Sequence, residues 1–310
     1  MKDEKQGEEK PKTEDEQTGA VDASHVVKRD ASRKGESEDV VEPENALPEV
    51  TLAEVPESLR QAVGRLGWPG LLPVQAKAIP YQLARRDLMV QSRTGSGKTG
   101  AFLLPLLERV DPGQSACQVL CLVPTRELAQ QVSKEAAVIF RDTGIRSIAV
   151  YGGTGYGPQL EAFRKGAHVV VGTPGRILDH LLRGSLRLER VRILIFDEAD
   201  RMLSMGFYPD MKRIQEFLPR RTMNGYMFSA TFPPHVLGLA DEFLDRPEIL
   251  SLSRDRVHVT ETDHSWVEVD PMRRDRALVR LIELENPASA IVFCNKIVDA
   301  HYLSLSLIHI

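Results

Sequence analysis

Four short, continuously apolar runs, each followed by a helical pattern, constrain this chain more than any other feature. "DLMVQ" precedes "KTGAFLLPLLERV", "QVLCLVP" precedes "TRELAQQVSKEAAVIF", "AHVVVGT" precedes "PGRILDHLL", and "RILIFDEAD" runs into "RMLSMGF". A strand apolar at every position must be covered on both faces, and alternation with helices is how a chain covers a parallel sheet. In the second helix Leu128, Val132, Ala136 and Phe140 recur every fourth residue, a stripe suited to lying on such a sheet. The expectation is an α/β fold, a parallel sheet flanked by helices, with no internal repeat.

The flanks differ from this middle. Residues 1–45 carry eight Lys/Arg against fourteen Asp/Glu, and no aromatic residue, Leu or Ile occurs before Leu47. Such a segment buries too little apolar surface to offset its ordering entropy, so 1–48 reads as a disordered acidic tail open to a protein partner. Without residues 1–45 the balance is 32 basic to 30 acidic residues, so net charge alone does not announce a nucleic-acid binder. The N-terminus has no apolar leader segment and no later run is long enough for a membrane span, which predicts a cytoplasmic protein. Three cysteines agree with a reducing compartment; Cys117 and Cys121, four apart in an apolar strand, read as core residues rather than zinc ligands. After residue 252 the pattern weakens. Residues 253–263 read as a charged linker, "HSWVEVD" as a strand, "MRRDRALVRLIELE" as a helix and "SAIVFCN" as another strand. The arginines of that helix read as an exposed charged face, and Trp266 as a packing residue.

Two stretches carry chemistry. "SRTGSGKT", residues 92–99, falls where a strand passes into a helix, and the first turn of a helix has unpaired N–H groups and partial positive charge to offer a phosphate. Thr94, Gly95, Ser96 and Gly97 form the cradle. Lys98 places a cation near the β and γ oxygens, and Thr99 offers a hydroxyl to Mg²⁺. Ser92 stands where the strict pattern has Gly. "ILIFDEAD" ends a later buried strand with three carboxylates. Ligands of open α/β sheets bind at the carboxyl ends of strands, and phosphoryl transfer to water needs one carboxylate for Mg²⁺ and one to position or activate the water. Asp197 suits the first role and Glu198 the second.

"SRTGSGKT", "PTRELA", "TPGR", "DEAD" and "SAT" occur in the order and approximate spacing of the DEAD-box ATP-dependent RNA helicases, which the chain resembles from residue 50 to about 300; "GWPGLLPVQ" is similar to their Q motif. The resemblance implies a P-loop, RecA-like first domain over 49–252 and the start of a second RecA-like domain over 264–304. It implies ATP and Mg²⁺ as cofactors, with Gln75 reading adenine, Thr99 and Asp197 at the metal, and Lys98 and Glu198 acting on phosphate and water. Ser229 and Thr231 would couple hydrolysis to strand separation, with Asp200 linked to them. RNA would be held without regard to sequence by Arg126, Gly152, Gly153, Thr173, Gly175 and Arg176. Backbone amides and an Arg at helix starts grip phosphate and ribose without reading bases, which agrees with that role.

The match is not uniform. Val50 stands where the family usually stacks an aromatic residue on adenine, and Leu71 and Leu72 stand where it has Pro and Thr or Ser. "IVFCNK" resembles the first motif of the second domain, whose later arginine motifs do not follow. "LSLIHI", residues 305–310, resembles the translated end of a transposon used in preparing sequencing libraries, and reads as non-native. The expected function is RNA-stimulated ATP hydrolysis driving local duplex separation. Two alternatives accompany it: a nucleotide-binding module without effective turnover, and a DNA-directed enzyme of the same superfamily.

Overall fold

The computed structural model describes residues 41–219, 223–252 and 265–307. They belong to two compact units, one within 34–260 and one including 261–310.

The first unit runs α1 (Glu57–Leu66), α2 (Pro73–Leu83), β1 (Leu88–Gln91), α3 (Lys98–Leu103), α4 (Leu106–Arg109), β2 (Val119–Leu122), α5 (Arg126–Ile139), β3 (Ser147–Val150), α6 (Gly157–Arg164), β4 (Val169–Gly172), α7 (Pro174–Leu182), β5 (Ile193–Asp197), α8 (Ala199–Ser204), α9 (Tyr208–Gln215), β6 (Asn224–Ser229), α10 (Pro234–Phe243) and β7 (Glu248–Ser251). The seven strands form one sheet in the order β3-β4-β2-β5-β6-β1-β7, and all of these pairings are parallel. Because side chains alternate along a strand, each strand feeds two cores. Val119, Cys121, Val169, Val171, Ile193 and Ile195 join the apolar faces of α1, α2, α3 and α5. Leu120, Leu122, Val170, Leu194, Phe196 and Met227 join those of α7, α8, α9 and α10. The four strands read from sequence are β1, β2, β4 and β5. On α5 the buried face is Ala129, Val132, Ala136 and Ile139, with Phe140 buried just past its end and Leu128 only partly covered.

Two expectations for this unit are corrected. The helix read through 98–110 is two, because Pro105 has no N–H to continue the ladder and becomes the residue before α4. Residues 41–48, assigned to the tail, are folded: Val41 bridges Ser251, the Leu47 N–H donates to the Tyr81 hydroxyl at 3.0 Å, and Glu42 pairs with Lys77. The rest of the acidic tail lies outside the described residues, as does the linker.

The second unit has a 3₁₀ turn (Pro271–Arg273), α11 (Arg274–Glu285) and α12 (Ile297–Leu307). The helix expected there is α11. The strands expected at 264–270 and 289–295 do not form: 265–270 and 290–294 carry no regular secondary structure, and Trp266, Ile291 and Phe293 are exposed. A strand needs a partner for its backbone groups, and this unit offers none among its described residues. Of the expected 305–310 terminus, Leu305–Leu307 close α12 and 308–310 lie outside the described residues. Among the described residues, no helix is long and apolar enough to cross a membrane.

Candidate nucleotide and nucleic-acid site

Strand order gathers the chemistry along the carboxyl edge of the sheet. β5, β6 and β1 are neighbours, and their ends carry Asp197, Ser229 and the 92–99 loop. β3, β4 and β2 are also neighbours, and their ends lead to Gly152–Gly153, Thr173–Arg176 and Arg126. The predicted nucleotide residues thus fall on one half of the edge and the predicted RNA residues on the other.

Pairing between β1 and β6 continues into the phosphate loop, where the Ser92 N–H donates to Ser229 O at 3.1 Å. The buried Ser92 hydroxyl lies 2.9 Å from that of Ser96 and ties the loop across its base, a role the sequence pattern did not signal. Gly97 has φ 93° and begins α3, and a Cβ there would sit 2.5 Å from Leu72 Cδ1. Lys98 is buried, and its ammonium donates to the carbonyls of Ser92 at 2.7 Å and Arg93 at 2.8 Å. Burial lowers its pKa, while Asp197, Glu198 and Asp200 oppose the shift.

Asp197 is 3% exposed at the end of β5 and accepts the Glu198 N–H at 3.1 Å. Burial pushes its carboxyl up to about 7 despite the attraction of Lys98. A carboxylate so poorly solvated, next to a helix that bears Thr99, is chemistry suited to a hard cation. Glu198 has φ 55° and ψ 51°, left-handed for a residue with a Cβ, and its carboxylate pairs with Arg201 at 3.1 Å. Asp200 reaches β6: its N–H donates to Ser229 Oγ at 3.2 Å, and its carboxylate accepts the Thr231 hydroxyl at 2.8 Å and N–H at 3.2 Å. Lys98, Glu198, Asp200 and Thr231 line a cleft of about 420 Å³, together with Thr94, Arg201 and His235. Nothing in the spacing of Arg201 or His235 announced either. A comparable groove of about 450 Å³ lies along α5 alone, with no group converging from a second element.

Gln75 is fully buried at the third position of α2. Its Oε1 accepts the Leu72 N–H at 2.9 Å, half of a capping box, and its Nε2 donates to Gly97 O at 3.1 Å. α2 is therefore fastened to the phosphate loop. Trp68 lies over Gly100, where a Cβ would meet its ring at 2.7 Å, and Val50 packs on the core with its N–H on Ala76 O.

On the other half of the edge, Thr125 caps α5 by accepting the Leu128 N–H at 3.2 Å, leaving Arg126 exposed at the first helical position and paired with Glu127. A Cβ on Gly153 would lie 3.8 Å from Arg126 Nη1, so these two sites adjoin. Thr173 opens α7, its N–H on Val150 O, and Gly175 lies against Asp210. Arg176 is different from the others: its side chain is 10% exposed, with its guanidinium on Thr154 O, Gln159 and Asp179 and 4.0 Å from the Tyr156 ring. Its groups are engaged inside the protein.

The family model described as DEAD/DEAH box helicase matches residues 72–238. The chain is 40% identical over 239 residues to the DEAD-box ATP-dependent RNA helicase CshA of Geobacillus kaustophilus, which covers 76% of this chain and 50% of the relative. It is 37% identical over 235 residues to the CshA of Bacillus subtilis, over 76% and 47% of the two chains. Among solved structures it is similar to a DEAD box protein from the hyperthermophile Methanococcus jannaschii, with 34% identity, a TM-score of 0.62, and coverage of 86% of this chain and 70% of that one. The chain spans about half the length of the curated relatives it matches.

Proposed function

The chain belongs to the DEAD/DEAH box helicase family, and from that premise we propose that it binds ATP and RNA as part of an ATP-dependent RNA helicase in the cytoplasm. In this reading residues 49–252 are the first helicase domain and 264–304 the start of the second. The amides of residues 94–99 hold the phosphates, and Lys98 exchanges the carbonyls of Ser92 and Arg93 for phosphate oxygens. Gln75 reads adenine from its place against the phosphate loop. Thr99 and Asp197 would hold Mg²⁺, which when bound supplies positive charge against the phosphates. Glu198, freed from Arg201, orients the attacking water and accepts its proton. Arg126, Gly152, Gly153, Thr173 and Gly175 hold the RNA backbone independently of sequence.

The observation that carries this reading is the link Asp200–Ser229–Thr231, which joins the strand bearing Asp197 to the neighbouring strand that borders the phosphate loop. A change at the triphosphate thereby reaches three strand ends at once. Fluorescent-nucleotide titration and RNA-stimulated phosphate release test it. Saturable nucleotide binding is expected, weakened at least about tenfold by Lys98→Ala. Glu198→Gln should lower phosphate release by about 100-fold or more while leaving nucleotide affinity within about twofold. Absence of saturable binding, or hydrolysis indifferent to Glu198→Gln, would refute the reading. Equal stimulation by matched DNA would replace RNA as the ligand, since locally only the 2′-hydroxyl distinguishes the two.

A further inference from the structure

Beneath the glycine-rich loop 151–156 lies a buried polar group that the proposed chemistry does not use. Gln159, on α6, is 4% exposed, and its carboxamide is satisfied on all sides. Nε2 donates to Thr154 Oγ1 at 3.1 Å and to Tyr151 O at 3.3 Å, both in the loop. Oε1 accepts from Arg176 Nε at 3.3 Å and lies 2.8 Å from Nε2 of His180, both on α7. His180 is fully buried. Burial, followed by the nearby Arg176, lowers its pKa, and its Nδ1 faces Ser185 Oγ at 2.8 Å. The neutral tautomer with hydrogen on Nε2 satisfies both contacts, donating to Gln159 and accepting from the serine. Arg176 adds a second tie to the loop at Thr154 O. One side chain from α6 thus fixes the loop holding Gly152 and Gly153 against the helix that begins at Thr173.

Gln159 is buried on the face of the sheet whose apolar cluster includes Ile177, Leu178 and Leu181 of α7, and a methionine there would keep nearly the same side-chain volume. Burying a polar group without hydrogen bonds is costly, and four partners all lying in two segments of the proposed RNA surface imply a positional task. The loop has glycines at 152, 153 and 155, with Gly153 at φ 80°. Glycine loses more freedom on ordering than any other residue. A loop left free would have to be ordered by RNA itself.

We propose that Gln159 is a positioning residue for RNA binding, preordering loop 151–156 against α7 so that the two backbone segments meet one RNA strand in fixed register. His180 holds the acceptor side of the carboxamide and Arg176 braces the loop, which assigns Arg176 a supporting place rather than direct contact with phosphate. This rests on the RNA-binding reading above.

The test uses the 310-residue chain and Gln159→Met, with three measurements: anisotropy of a labelled oligouridylate of about ten nucleotides, titration of a fluorescent ADP, and hydrogen exchange across residues 151–157 without RNA. The expected result is RNA affinity lowered about 5- to 20-fold, ADP affinity changed less than about twofold, and faster exchange confined to the loop. Thr154→Val, at an exposed position, removes one loop partner and is expected to give the same pattern at about two- to fourfold. Unchanged RNA affinity in a folded Gln159→Met protein overturns the proposal, as does parallel weakening of RNA and ADP, the mark of a merely structural role. Should Gln159→Met not fold, unchanged RNA affinity and loop exchange in Thr154→Val overturn it. A wild-type protein that binds ADP but no oligouridylate refutes the RNA-binding reading itself, whereas RNA binding indifferent to both variants refutes only the part assigned to Gln159.

Discussion

Burial acts in opposite senses on Asp197 at the site and on the two buried histidines, His168 at the amino end of β4 and His180 on α7. The Asp197 carboxyl is kept away from water and has one backbone donor, so its charged form is disfavoured in the folded protein. Asp197→Asn keeps the shape and the acceptor for the Glu198 N–H, and is expected to raise the melting temperature of the ligand-free protein by a few degrees while abolishing Mg²⁺-dependent ATP binding, checked by thermal melts and titration. His168 and His180 act in the opposite sense. Burial holds both below their ordinary value of 6.5, with Arg146 adding to the effect at His168 and Arg176 and Arg183 at His180, opposed by Asp111 and Asp179 respectively. Below pH 6.5 the unfolded chain takes up protons that the folded one resists, so this contribution to stability is present above that pH and lost as the pH falls. His180→Gln should destabilise the protein at pH 7.5, and its melting temperature should approach that of the wild type by pH 5.5. A constant gap between the two melts would show that His180 does not titrate this way.

At the scale of elements, several helices start at a polar cap or a proline, and some stop at a glycine or a proline, as α1 does at Gly67 and α3 just before Pro105; such signals are local and legible in the sequence. Thr125 before α5 and Thr173-Pro174 before α7 are examples. What was not readable is how α2 packs on α3. Gly100 permits it, because a Cβ there would lie 2.6 Å from Gln75 Nε2 and 2.7 Å from the Trp68 ring. Gly100→Ala is expected to push Trp68 and Gln75 outward, costing about 1–3 kcal/mol in a denaturant titration and weakening adenine nucleotides more than inorganic triphosphate. Equal affinity losses for both ligands would place the damage in the phosphate loop instead. β3, β6 and β7 went unread for a related reason. β3 is an edge strand with three of its four residues only partly buried, β6 opens with Asn-Gly, and β7, the opposite edge, begins with a partly buried glutamate and an exposed isoleucine. Their strand character comes from neighbours that supply hydrogen bonds, a tertiary contribution that periodicity does not contain.

For the molecule as a whole, burial divides the chain. Residues 41–252 supply the two apolar clusters, whereas α11 contains no buried residue. Native-state hydrogen exchange should therefore find the β2, β5 and β6 amides protected most strongly and the α11 amides exchanging with little protection; comparable protection of the two would refute the division. The amino-acid sequence by itself determined the α/β class, the phosphate loop between β1 and α3, and the carboxylates at the end of β5, because apolar runs, glycine spacing and charge at strand ends are local properties. It also fixed which residues are candidates for each ligand, through motifs written contiguously along the chain. Only the tertiary structure decided where those motifs meet. The order β3-β4-β2-β5-β6-β1-β7 sends the ends of β5, β6 and β1 to one half of the sheet edge and the ends of β3, β4 and β2 to the other. The links from Asp200 to Ser229 and Thr231, and from Gln159 to Tyr151, Thr154, Arg176 and His180, join residues from separate elements. Strand order and buried hydrogen bonds follow from minimising exposed apolar surface and unpaired polar groups over the entire fold, which no local stretch of sequence specifies.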